Sequence, residues 1–366
     1  MTCSLFAALL LAAATSYAQS ISGQISGTIF DSSSAVVPGA EVSVRNTATG
    51  NTRKLVSNEN GYYVATDLLP GVYEISVEKS GFRKQVESNV TLSANTRMTV
   101  NATLTPGAAT EIIEVKAAAN QVETSTGEIN NVVSSRQVTE LSLNGRNYIQ
   151  LMQLIPGVTV NYTSGFDLSS NTAGQNVNGL RGNTSGVMVD GSWNLNVGSN
   201  GTPHVNPSVD AIAEVKITTG GFSAEHGHAQ GAQVNVVTKS GGREFHGGLF
   251  EFVRNDKLDA KDWISNRANT VKPPLRFNDF GGTLGGPVFI PNVWNTDRSK
   301  AFFFVSLTGR RNIRSTTRTG NVPTAEERAG DFRNSTLPVP TDPATRQPFN
   351  PSNPRVLPSS LWSKNG

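Results

Sequence analysis

Apolar residues in this chain come in short pulses, each closed by Gly, Asn, Asp or Ser. That pattern restricts the possible folds more than any other feature. Between Gln175 and Gly248 three pulses stand out: Val187-Met188-Val189, Ile212 to Ile217, and Val234 to Val237. Pulses of this length between turn residues read as short strands. Val215 and Ile217 alternate with Glu214, Lys216 and Thr218, which predicts a strand buried on one face only. The 35 glycines favour strands and turns over helices, and no run of about 18 apolar residues is available to cross a membrane as a helix. The expected fold class is mainly β.

At 366 residues the chain has room for two or three domains. Charged residues make up 16% and the net charge is +3, with the basic residues scattered, so no nucleic-acid footprint is present. Residues 1–18 read as a signal peptide, although the n-region has no Lys or Arg. Leu5 to Ala14 form an apolar core, and Ser16-Tyr17-Ala18 place small residues before Gln19. Cys3, the sole cysteine, lies inside this segment, so the chain from Gln19 onward has no thiol, disulfide or Cys-based metal site.

Residues 19–106 alternate cleanly between strand and turn. Glu41-Val42-Ser43-Val44-Arg45 is one strand, and Asn58-Glu59-Asn60-Gly61 turns into Tyr62-Tyr63-Val64-Ala65. In Val72 to Lys79, Tyr73, Ile75 and Val77 share one face. About seven short strands at this spacing make a β-sandwich. The order GTIFD, VPGAEVSVRN and NGYYVATDLLPGVYEISVEKSGF resembles the carboxypeptidase-regulatory-like domain. The resemblance implies a prealbumin-like or carbohydrate-binding-like fold. Tyr62, Tyr63 and Tyr73 are candidates to stack a sugar, or else they pack within the sandwich.

Residues 107–244 carry a set of weak motifs in a specific order. They are Leu143-Asn144-Gly145-Arg146-Asn147, Asn178-Gly179-Leu180-Arg181, Val189-Asp190-Gly191, Ala211 to Lys216, Ser223 to Gly227 and Val234 to Gly241. The series resembles the plug domain of Oar-like TonB-dependent outer-membrane receptors. Arg136 to Leu141 is a short helix candidate with Ser134 or Ser135 as N-cap, and Tyr148 to Leu154 is a second, ended by Pro156-Gly157. An α+β plug is expected. Before it, Glu111, Ile112, Ile113, Glu114 and Val115 resemble a TonB box, an acidic residue followed by an apolar strand. Ile112 stands where Thr is common, and Glu114 interrupts the apolar run. The resemblance implies that this strand adds to a sheet of TonB through main-chain hydrogen bonds. The same residues also read as the first strand of the plug.

Residues 245–319 change texture again. His246 to Arg254 and Lys300 to Arg310 are aromatic-rich alternating runs, which suit outer-membrane strands. They read as the incomplete start of a β-barrel, with room for about two to four strands where small closed barrels need about eight. Residues 320–366 are rich in Pro and polar residues and read as a loop or disordered tail. No catalytic constellation, cofactor site or phosphate loop is evident. His226-Gly227-His228 beside Glu225 is the only metal-like cluster, and its setting in a Gly-rich turn favours a solvated turn over a metal site.

The resemblance implies a non-enzymatic receptor of the cell outer membrane that binds an external ligand, glycan or peptide, and takes it up with energy from TonB and its inner-membrane complex. Its surroundings would be outer-membrane lipid. The rival is a cell-surface or periplasmic carbohydrate- or protein-binding module that transports nothing.

Overall fold

A computed structural model describes residues 21–107, 112–116, 126–160, 175–196, 198, 201–223, 229–261, 263–269, 271–314, 322–335 and 338–361. The fold divides into two units: Met1–Phe252 with Asn278–Arg310, and Val253–Phe277 with Arg311–Gly366. The chain is mainly β.

The first unit begins with a sandwich of two sheets. One contains β1 (Gly23–Asp31), β4 (Tyr62–Leu68), β7 (Arg97–Thr99) and β8 (Ala102–Leu104). β1 pairs antiparallel with β4 and parallel with both β7 and β8. The other sheet has the order β3-β2-β5-β6-β9, from β2 (Glu41–Asn46), β3 (Thr52–Val56), β5 (Gly71–Glu78), β6 (Lys84–Leu92) and β9 (Ile112–Lys116). The alternation in β5 is realised: Tyr73, Ile75 and Val77 are buried, facing Ile25, Ile29 and Ala65 across the core. Each such side chain contributes about 1.5–3 kcal/mol by leaving water. Tyr63 and Tyr73 belong to this core. The Tyr63 hydroxyl donates to the Val100 carbonyl at 2.8 Å, and that of Tyr73 donates to Leu69 at 2.6 Å. Their rings are therefore not surfaces for a sugar; of the three tyrosines only Tyr62 is exposed.

The plug follows in the same unit. Its sheet has the order β10-β15-β16-β13-β14, from β10 (Asn130–Ser134), β13 (Gly186–Val189), β14 (Ser192–Trp193), β15 (Ile212–Thr218) and β16 (Gln233–Thr238). A two-stranded ribbon, β11 (Val158–Val160) with β12 (Gln175–Val177), lies beside it in sequence. Helix α1 (Ser135–Glu140) starts at Ser134, whose side chain accepts from Gln137 N in a capping box. The expected second helix, Tyr148–Leu154, is a 3-10 helix. The Asn147 side chain caps it by accepting from Ile149 N at 3.0 Å. β13 and β14 join through Asp190 and Gly191, both at positive φ (48° and 79°), the geometry of a type I′ hairpin.

β17 (His246–Asn255), β18 (Leu275–Pro287) and β19 (Phe302–Arg314) form a three-stranded sheet that does not close. Within the first unit its strands carry exposed apolar side chains: Leu249 is 94% and Leu307 71% exposed, and Phe280 and Leu284 are also exposed. β18 and β19 approach closely at Gly281, where a Cβ would lie 2.1 Å from the Leu307 carbonyl oxygen.

The second unit has little regular structure beyond the strand ends. Helix α2 (Trp263–Arg267) and the single-turn α3 (Ala325–Arg328) are its α-helices among the described residues, α3 being capped by Thr324 and Glu327, and a 3-10 turn spans Ser359–Leu361. Arg355 donates to the carbonyls of Phe332 and Ser335, which ties the Pro-rich segment to itself.

Candidate functional site

Two arrangements bring charged or extended residues together in a way that packing alone does not require. Both lie in the first unit.

The first is built on the Leu143 to Asn147 loop. Gly145 and Arg146 both sit at positive φ, 66° and 54°. For Arg this conformation costs about 1–2 kcal/mol, so the surroundings must hold it there. Gln150 does so in part: its Oε1 accepts from Asn144 N at 2.9 Å and its Nε2 donates to Asn144 O at 2.8 Å. The loop directs the Arg146 guanidinium into a nearly closed site. It donates to the Asp210 carboxylate. Its Nε lies 3.3 Å from Asp279 on β18. The guanidinium stacks over Phe252 at 3.8 Å and Phe250 at 5.0 Å, both on β17. Arg310 of β19 lies 3.5 Å from the same Asp279 oxygen, Oδ2. The Arg146 side chain is 9% exposed and that of Asp279 2%. Burial pulls the Arg146 pKa below its usual value, while Asp210 and Asp279 push it back up. Arg suits such a place because its planar fork can meet two carboxylates and stack on aromatic faces together. The cluster thus pins a plug loop to all three strands of the open sheet.

The second arrangement joins the plug to the sandwich. Glu214 and Lys216 on β15 reach the turn at residues 93–96. Glu214 Oε1 accepts from Ala94 N at 2.7 Å. Lys216 Nζ donates to Ala94 O at 3.3 Å, Asn95 O at 3.0 Å and Thr96 Oγ1 at 3.2 Å. Glu128 stands 3.9 Å from the same ammonium. Burial raises the Glu214 pKa, against the lowering effect of these hydrogen bonds and of Lys216. This corrects the expectation for β15. The strand is buried on both faces: Lys216 and Thr218 are as inaccessible as Val215 and Ile217.

The TonB-box candidate lies elsewhere. Glu111 is outside the described residues. Ile112 to Val115 lie in β9, which pairs parallel with β6 in the register Lys84↔Ile112 to Ser88↔Lys116. The segment is therefore an edge strand of the sandwich and not the first strand of the plug sheet, which is β10. Ile113 is half-buried, and Glu114 and Val115 are exposed. Ser88 Oγ donates to Glu114 at 3.2 Å. Glu225, His226 and His228 lie outside the described residues. Among the described residues no three His, Cys, Asp or Glu side chains are grouped to hold a metal.

Sequence reasoning singled out the motifs but missed the roles of Arg146, Asp210, Asp279, Arg310, Glu214 and Lys216. The available signal was an isolated acid, Asp279, in the aromatic and glycine-rich run from Phe277 to Gly286.

Comparison with known proteins matches three domain families along the chain. Residues 24–105 match the carboxypeptidase regulatory-like domain, 122–232 the TonB-dependent receptor plug domain, and 237–365 an outer membrane beta barrel domain. The TonB-dependent transporter Oar of Myxococcus xanthus is 28% identical over 304 residues, covering 79% of this chain and 27% of that protein. The chain thus spans about a quarter of the length of this curated relative. Among solved structures, the siderophore receptor PirA of Acinetobacter baumannii is 18% identical, with a TM-score of 0.32 over 44% of this chain and 22% of that one. Hydroxyquinol 1,2-dioxygenase of Pseudomonas putida DLL-E4 is 11% identical, with a TM-score of 0.21 over 25% of this chain and 59% of that one. Both scores are too low to support an argument.

Proposed function

From the premise that the chain belongs to the Oar-like TonB-dependent receptors, we propose that it serves energy-coupled uptake of an external ligand across the outer membrane. Residues 1–18 direct export, and the exposed apolar side chains of β17 to β19 meet lipid. In this reading TonB pairs with the segment 111–115 and pulls. The pull is resisted by the plug's attachment to the open sheet through Arg146, and uptake requires that attachment to loosen. The ligand is a molecule bound on the outer side, a glycan or peptide.

The observation that carries the reading is the placement of Ile112 to Val115. They form an extended strand at the edge of a sheet, outside the plug, with exposed side chains at Glu114 and Val115. A segment so placed can meet a partner's strand through its own backbone. Proline at Ile113 removes a main-chain donor and fixes φ. The affinity of the purified chain for the C-terminal domain of TonB should fall by about tenfold or more in Ile113→Pro. Unchanged affinity would count against the assignment.

A further inference from the structure

The sandwich meets the rest of the first unit through two of its turns, and each turn touches a different part. The turn at residues 93–96 holds Glu214 and Lys216 of the plug sheet. The turn at residues 46–51, between β2 and β3, reaches the connection from β16 to β17. There the Ala48 carbonyl accepts from Arg243 N at 3.1 Å. That connection also touches the end of the open sheet where β18 stops and β19 starts. A Cβ on Gly241 would lie 2.3 Å from Phe303 O on β19 and 2.8 Å from Gly286 O on β18. A Cβ on Gly242 would lie 3.2 Å from Ala48 O. The Arg243 side chain lies against Gly50, and its Nη2 donates to Asp297 O, between β18 and β19, at 3.0 Å.

Both turns are built into the sandwich. The Asn46 side chain is buried, and its Oδ1 accepts from Ala48 N and Thr49 N, each at 3.0 Å. In the other turn Thr96 Oγ1 donates to Ala94 O at 3.3 Å, and Asn95 N donates to Ile21 O at 3.3 Å. The strands that lead into the turns share one apolar core, with Val42 and Val44 from β2 and Val90 and Leu92 from β6. A close-packed core transmits displacement rather than absorbing it, so the spacing of the two turns is fixed. If the plug sheet shifts against the end of the open sheet, both contacts cannot survive. The contact at Lys216 is buried and has three hydrogen bonds to an ammonium. The contact at Arg243 has one main-chain bond and a side chain open to solvent. Bonds to a charged group out of water are the stronger kind.

We propose that the sandwich is a brace across the plug and the open sheet, with residues 241–243 as the surface that its 46–51 turn docks on. The Ala48–Arg243 contact breaks first when the plug moves, and the sandwich travels with the plug. This rests on the movement of the plug given under Proposed function and adds a second attachment that such movement has to break.

A disulfide in the full chain reads the docking. Cys3→Ser removes the only native thiol. Ala48→Cys with Gly242→Cys places two Cβ atoms about as far apart as the 3.9 Å that separates the Ala48 Cβ from a Cβ built on Gly242. Disulfides have this spacing. Mild oxidation should close the pair in folded chain, and no closure would overturn the docking. The rate of closure is then compared in Lys216→Met and Thr96→Val backgrounds, which weaken the plug contact from its two sides. Closure should slow about fivefold or more in Lys216→Met and by less in Thr96→Val. Thr96→Val leaves the plug sequence intact, so a slowing there is not loss of the plug's own fold. Equal rates in both backgrounds and the parent pair would show two independent contacts and overturn the brace. Native-state hydrogen exchange of the parent chain tests the order of breaking. The Arg243 amide should exchange about fivefold or more faster than the Ala94 amide, each relative to its intrinsic rate. The reverse order would overturn the claim that the sandwich stays with the plug. None of these measurements uses TonB, so their failure leaves the reading of 111–115 standing, and that reading falls only with the Ile113→Pro affinity.

Discussion

Arg146 combines two costs, a left-handed backbone and a nearly closed environment, with two carboxylate partners that favour its charge. Removing one member of a buried charged set leaves the others uncompensated, which typically costs about 3–5 kcal/mol. Arg146→Ala should lose about that much in urea unfolding of the chain. Arg146→Lys should recover less than half of the loss, because an ammonium cannot serve Asp210, Asp279 and two aromatic rings together. An alanine variant within about 1 kcal/mol of the parent, as for an exposed pair, would show that the cluster does not hold the plug. Glu214 supplies a test by pH. Its pKa is raised in the fold above the ordinary 4.5. Its contribution is therefore fully present below about pH 4.5 and is lost as pH rises through the raised value. Glu214→Gln keeps an acceptor for Ala94 N and has no proton to lose. The melting temperature of the variant minus that of the parent should grow more positive from about pH 4 to pH 7. A difference independent of pH would mean that Glu214 does not titrate differently on folding.

Among elements, the β13-β14 hairpin rests on its turn. Gly191 at φ 79° takes a conformation that an L side chain adopts only with strain, so Gly191→Ala should cost about 1–2 kcal/mol in the same unfolding assay. The neighbouring Asp190 accepts from Thr238 N at 2.9 Å and from its hydroxyl at 2.7 Å, so a displaced turn would also weaken β16. A loss below about 0.5 kcal/mol would show that the turn relaxes freely. Features of this kind were legible in the sequence because they are local. The Asp190-Gly191 turn, the Ser134 cap of α1 and the alternation of Tyr73, Ile75 and Val77 each depend on residues a few positions apart. What the sequence left open depends on distant partners. Lys216 alternates like a solvent-facing residue, yet it is covered by Ala94 to Thr96, about 120 positions earlier. β9 has the composition of a plug strand, but the open edge of β6 claims it. Tyr148 to Leu154 read as a second short helix ended by Pro156-Gly157, and the segment takes 3-10 geometry behind a side-chain cap at Asn147.

At the scale of the whole molecule, the sandwich, plug and open sheet of the first unit are linked by a few polar contacts as well as by chain connectivity. Glu214 and Lys216 fasten the plug to the sandwich, and Arg146 fastens it to β17 and β18, with Arg310 of β19 meeting the same Asp279. The sandwich in turn keeps residues 112–116. The central claim is that TonB takes hold of these residues. Photo-crosslinking in living cells tests it most directly, with a crosslinking amino acid placed singly at Ile113, Val115 and, as a control, Thr139 of α1. The account predicts a crosslink to TonB from Ile113 and Val115 and none from Thr139. Absence of any TonB crosslink from 113 and 115 in cells that produce both proteins would contradict it.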